Sequence, residues 1–194
     1  GEVRAMAQIT GSTTTDWSGI SLPQGDFETD FVQFVNQFKQ VNDQLNNGQF
    51  TFASFGPTFA VLDFFSGGRA IVGGSGFDTD NPIFNSFNFK DPPDGTGQVL
   101  RFTGTFDGIG NDVLTSATLG STGFLETFKG TIIVPQTFPD PPGNYSGTLT
   151  SLVVKIGAAT EILSGNFHLT GDLASASLTG TVTGISVVSG ADTI

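Results

Sequence analysis

The chain contains no cysteine, and that one absence removes disulfide staples, zinc-thiolate centres and thiol nucleophiles together. It also leaves nothing to mispair in an oxidising space, so export is permitted. A single histidine, His168, is too few for a histidine-built metal site. Basic residues are equally scarce: Arg4, Lys39, Arg69, Lys90, Arg101, Lys129 and Lys155 stand singly against eighteen acidic residues, for a net charge of −11. With no basic stripe to neutralise phosphates, nucleic-acid binding is excluded as an expectation, and attraction to an anionic membrane surface is disfavoured. No apolar run approaches the roughly 20 residues of a membrane helix, so no membrane span is expected. Gly1-Glu2-Val3 has no signal-peptide character, as in a mature or trimmed form. Charged residues make up 13% of the chain, about half the usual share.

What is present is glycine, serine, threonine, asparagine and phenylalanine, the composition of an extracellular β protein. At 194 residues the chain fits a single β-rich domain, 1–194, large enough to bury a core without staples. One short pattern recurs five times: Phe102-Thr103-Gly104-Thr105-Phe106, Phe128-Lys129-Gly130-Thr131-Ile132, Tyr145-Ser146-Gly147-Thr148-Leu149, Leu169-Thr170-Gly171-Asp172-Leu173 and Leu178-Thr179-Gly180-Thr181-Val182. A strand turns alternate side chains to opposite faces, so each instance places apolar, glycine, apolar on one face. Glycine inside a strand marks a bulge, a bend or a close approach of backbone. The five glycines therefore share an architectural job.

One segment has helical period. Phe27, Phe31, Phe34, Phe38, Val41 and Leu45 recur at spacings of four and three, which predicts an amphipathic helix over about 26–46. Asp26 is the expected N-cap, and Asn47-Gly48 the left-handed stop. Val3 to Ile9 alternates as a strand ending at Gly11-Ser12-Thr13. From Gln49 onward ten strands are expected, with turns at sites that include Gly67-Gly68, Gly73-Gly74 and Asp107-Gly108. In the last strand the apolar phase changes around Gly184, the signature of a bulge. The sum is a mainly β protein, an antiparallel sandwich or barrel-like sheet, with the helix packed on a glycine-lined sheet face. Burying its phenylalanines is worth roughly 1.5–3 kcal/mol each.

Candidate chemistry is sparse. Asp78, Asp80 and Asn81 place several oxygens in one short loop, and Asp107, Asn111 and Asp112 do the same in a second, glycine-bearing one. Calcium takes six to eight oxygens, so each is a partial donor set that competes with an ordinary solvated turn. His168 shares the polar phase of its strand with Asn166 and Thr170, and no Gly-x-Ser-x-Gly elbow accompanies it, so no Ser-His-Asp site is expected. A glycosidase carboxylate pair is disfavoured, because Trp17 and Tyr145 are the only residues of the kinds that usually stack on sugars. The twenty phenylalanines are expected to fill the core. Asn144-Tyr145-Ser146 fits the N-glycosylation acceptor. Taken together, the chain is expected not to be an enzyme and to need no cofactor beyond possible calcium.

The stretch Tyr145-Ser146-Gly147-Thr148-Leu149-Thr150-Ser151-Leu152-Val153-Val154, with Leu163-Ser164-Gly165-Asn166-Phe167 and Leu169-Thr170-Gly171, resembles strand pairs in exported bacterial surface and matrix proteins. Those carrying a PEP-CTERM-type sorting tail are the nearest in style. The resemblance implies an exported surface or matrix protein. With the composition, the lack of a catalytic constellation and terminal strands at Val3 to Ile9 and Leu178 to Val188 that can pair outside their own subunit, the leading expectation is a structural or adhesion protein at the cell surface or outside the cell, partnered by copies of itself or by other matrix components through terminal or edge strands. A second likeness, to secreted bacterial haem carriers, implies a histidine and a tyrosine as ligands. Here those would be His168 and Tyr145, both in predicted strands. The alternative function is therefore an extracellular module binding a small ligand, haem or a glycan, with calcium supporting its loops. Whether the helix fills the glycine-lined face separates the two.

Overall fold

A computed structural model describes residues 7–16, 27–79, 82–93, 97–106, 111–135 and 144–188. The predicted Asp26 cap and the Asp107-Gly108 turn lie outside them. The elements are β1 (Ala7–Asp16), α1 (Phe27–Asn46), β2 (Phe50–Gly56), β3 (Phe59–Phe64), β4 (Arg69–Ser75), β5 (Ile83–Asp91), β6 (Gln98–Phe106), β7 (Asn111–Ser121), β8 (Phe124–Pro135), β9 (Tyr145–Ile156), β10 (Ala159–Gly171) and β11 (Ala176–Val188). All strands belong to one sheet in the order β1-β11-β10-β9-β8-β7-β6-β5-β4-β3-β2. Every pairing is antiparallel, so β2 to β11 form a meander and β1 returns to cover β11. The fold is mainly β with one packed helix. Its strands make one continuous sheet rather than the two layers of a sandwich.

That sheet must curl. A helix is only about 10–12 Å across, whereas eleven strands laid flat would span roughly 48 Å. Yet one cluster joins α1 to buried residues on every strand from β3 to β11, from Ala60 and Leu62 to Leu178 and Val182. Only a sheet wrapped about the helix lets one helix share a core with so many strands.

The helix forms and stops as its sequence dictates. Phe27, Phe31, Phe34 and Val41 of the stripe are buried, and Phe38 and Leu45 are partly so. Gly48, at φ +62°, donates its N–H to the Leu45 carbonyl while Gln49 donates to that of Gln44, the paired bonds of a Schellman cap. Two polar contacts dock α1 on the sheet: Glu28 Oε1 accepts from the Leu178 N–H at 2.6 Å, and Asn36 Nδ2 donates to the Leu173 carbonyl at 3.0 Å.

The recurring glycines lie opposite large side chains of neighbouring strands. Gly104 faces Leu114, Gly130 faces Leu149, Gly180 faces Phe167, and Gly147 sits between Ile132 and Leu169. All five of those neighbours are buried. At Gly130, φ is +151° and an added Cβ would collide with the Thr148 carbonyl oxygen and lie 2.6 Å from the Leu149 Cα. The neighbouring backbone itself thus fills the space a side chain would take. Register slips accompany these approaches, between Thr103 and Gly104, between Lys129 and Gly130, and at Thr183 beside the expected bulge residue Gly184.

Two expectations change. Gly73-Gly74 lies inside β4 rather than in a turn: both glycines pair with β5, on either side of a register shift that leaves Asn85 of β5 as the extra residue, the Ile83 carbonyl oxygen takes the space a Gly74 Cβ would need, and the strand continues to Ser75. The first strand does not end at Gly11-Ser12-Thr13. It pairs with β11 on both sides of that point, the register shift between Thr10 and Thr13 absorbing the local irregularity, and runs on to Asp16.

Candidate functional site: a phenylalanine-lined cavity

α1 fills one half of the curled sheet and leaves the other partly open. Toward its N-terminus, the Phe31 ring lies 5.0 Å from Phe128 and 4.9 Å from Tyr145, and Phe27 meets Phe128 edge-on. Toward its C-terminus a cavity of about 640 Å³ separates the helix from the sheet. Its walls are Phe38, Val41, Asn42, Leu45 and Asn46 of α1, then Phe50, Phe52 and Phe55 of β2, Ala60 and Leu62 of β3, Val72 of β4, Phe84 and Phe87 of β5, Phe102 and Phe106 of β6, and Asp112 of β7, with Phe77 and Pro82 between β4 and β5. The volume and the apolar lining with few polar groups are those of a small-molecule site.

Local structure explains how so many rings reach one space. In β2 a register shift between Phe52 and Ser54 keeps Phe50, Phe52 and Phe55 in one phase, opposite Phe64, Leu62 and Ala60 of β3. Two stacked pairs follow, Phe87 on Phe102 at 4.8 Å and Phe84 on Phe106 at 6.3 Å, with Phe38 edge-on to Phe102 at 4.9 Å. Phe52 and Phe55 are 62% and 66% exposed although they line the cavity, so it opens to solvent along β2. Among the described residues β2 pairs with β3 alone, which makes this rim an edge of the sheet. The expectation that phenylalanine fills the core is corrected here. Phe52, Phe55, Phe59 and Phe65 are exposed: Phe52 and Phe55 stand at the open rim that the helix does not cover, Phe59 takes the outer phase of β3, and Phe65 lies in the turn that follows it.

A sealed and empty space of this size would be untenable. At about 24 cal/mol per Å³ of void, it would cost on the order of 15 kcal/mol, comparable to the whole stability of a domain. The open rim lets solvent or a ligand occupy it. Water would find few partners, since among the described residues Asn42, Asn46 and Asp112 are the only polar side chains in the walls.

The residues singled out for metal binding separate. Asp78 is exposed in the turn after β4, while Asp80, Asn81 and Asp107 lie outside the described residues. Asn111 opens β7, and Asp112 follows within the strand, 3% exposed and on the cavity wall. Among the described residues no three His, Cys, Asp or Glu side chains gather as a metal cluster. Tyr145 and His168 also diverge. Tyr145 is buried on the inner face, its hydroxyl donating at 2.5 Å to the Asp172 carbonyl, whereas His168 is exposed on the outer face. Burial, and secondarily the Asp172 charge, push the Tyr145 phenol well above its usual range. Asp172 is held below the usual carboxylate range by the backbone N–H groups of Ala174 and Ser175, which it accepts at 2.7 and 2.9 Å. Tyr145 thereby ties β9 to the β10–β11 turn.

Glu126 of β8, fully buried on the inner face, was not anticipated, though its alternation with Phe124 and Phe128 marks that phase. It faces Leu119 of β7, seven residues from Asp112, a spacing of roughly 23 Å along a strand. Glycosidase carboxylates sit about 5–9.5 Å apart, so these two do not form such a pair. Among the described residues no helix is long and apolar enough to cross a membrane. Comparison of the chain with protein families, curated proteins and solved structures gave no match.

Proposed function

We propose that this protein is a non-enzymatic, exported binding module that takes an apolar small molecule between the C-terminal half of α1 and β2 to β6. The observation that carries the reading is the open, phenylalanine-walled cavity of about 640 Å³. Its walls offer shape and apolar surface and, among the described residues, no group of acids, bases or nucleophiles converging on one point. The test is titration with the neutral fluorophore N-phenyl-1-naphthylamine, which brightens in apolar surroundings. The wild type is expected to bind it saturably, and Ala60→Phe or Val72→Phe, which add a ring inside the cavity, to abolish binding while circular dichroism and melting stay native. Unchanged binding in both folded variants would overturn the assignment. Calcium enters only as a support for the segment that follows Phe77, through the oxygens of Asp78, Asp80 and Asn81. It should then raise the melting temperature more than magnesium at equal ionic strength, and Asp78→Asn with Asp80→Asn should erase the difference.

A structural or adhesive role through strand edges is the second reading, favoured by one observation. The chain carries no charge between Asp43 and Asp63, so edge strand β2 lacks the charged residues that commonly block strand addition. β1 is already paired with β11 in its own chain and so is not a free strand to donate, which leaves the charge-poor β2 edge as the surface this reading points to. Thr51→Lys with Ser54→Lys should then reduce assembly in sedimentation velocity, whereas deleting residues 1–10 should matter less. The opposite order would favour donation of the N-terminal strand.

A further inference from the structure

We infer that the cavity selects a neutral, planar, conjugated ligand, a polyene or fused-ring molecule with at most an uncharged polar end. The inference rests on the cavity being a ligand site, and it follows from charge and ring geometry. Among the described residues no lysine, arginine or histidine lines the cavity, and the one ionisable group in its walls is the carboxyl of Asp112. In a chain of net charge −11, an anionic ligand such as a fatty acid would meet no compensating cation and an unfavourable field. The rings of Phe87 and Phe102 lie 12° from parallel and those of Phe84 and Phe106 9°, while Phe38 presents its edge to Phe102. Faces and edges at fixed angles reward another π system beyond the area it buries, a reward a saturated chain does not collect. Asn42 and Asn46, one helical turn apart on α1, supply neutral donors and acceptors for a hydroxyl or carbonyl end.

Three competitors against bound N-phenyl-1-naphthylamine separate these terms: retinol, neutral and conjugated; retinoate, its anion-bearing analogue; and hexadecan-1-ol, neutral and saturated. Retinol should displace the probe at concentrations at least roughly fivefold lower than either of the others. Phe65→Ser, at an exposed ring outside the cavity, should leave this ranking intact, and Ala60→Phe should remove all three. Retinoate displacing as well as retinol would overturn the charge argument. Hexadecan-1-ol displacing as well would overturn the aromatic one, and in either case the site itself would stand. Failure of both the probe and retinol to bind would overturn the cavity reading together with the inference built on it.

Discussion

From β8 to β11 the inner face alternates large side chains with glycines, and each glycine receives the bulk of a neighbouring strand: Leu149 over Gly130, Ile132 and Leu169 beside Gly147, Phe167 over Gly180. The helix then closes that half with Phe27 and Phe31. From β2 to β5 the inner face carries Phe50, Phe52, Phe55, Phe84 and Phe87 against Ala60 and Val72, and α1 offers Val41 with the partly buried Phe38 and Leu45 in return. The first half sets glycine against bulk at these pairs, and the second leaves volume over. The same residue type therefore does opposite work at the two ends of one sheet: Phe31 is completely enclosed, and Phe55 is mostly in solvent. Stability should reside in the first half and recognition in the second.

Paired substitutions sharpen that contrast. The largest effect is expected at Phe31→Ala, about 3–5 kcal/mol lost in urea denaturation, whereas Phe52→Ala should cost within about 1 kcal/mol and weaken probe binding instead. Similar losses at both positions would mean the halves are equally packed. Next, Gly130→Ala should destabilise by about 2–4 kcal/mol, because its Cβ meets the β9 backbone and its φ is left-handed. Gly184→Ala, with nothing within 4 Å of its Cβ, should stay within about 0.5 kcal/mol. Smaller still is Tyr145→Phe, about 1 kcal/mol for the lost hydrogen bond to the Asp172 carbonyl. Because folding raises the phenol's pKa, its contribution is complete below the unfolded value near 10 and is lost as pH rises toward the folded one. Wild-type stability should therefore fall more steeply above about pH 10 than that of Tyr145→Phe. Tyr145 is the only tyrosine, so its phenolate absorbance reports the titration directly.

The helix was legible because six apolar residues at one period have one explanation, and the strands because Gly-Thr patterns and turn residues bracket them. The glycines were legible as an architectural set, but not as receivers of neighbouring bulk, since register is a property of pairs of strands. The extension of β1 past Gly11-Ser12 depends on β11 lying alongside, which local sequence does not reveal. Asp112 read both as the end of an acidic loop and as the start of a strand, but its polarity did not show that it lies buried in β7. The cavity was the least legible feature. The charge-free run with Phe50, Phe52, Phe55 and Phe59 hinted at more aromatic surface than one helix covers, but leftover volume appears only when both halves are packed in three dimensions.

A crystal structure of the protein soaked with retinol tests the division of labour most directly. Ligand density should lie between Phe38 and the Phe87–Phe102 stack, with Phe52 and Phe55 at its open end and the Phe31–Phe128–Tyr145 cluster unmoved. Side chains of α1 and β2 to β6 closed upon one another, with no space and no density between them, would contradict it.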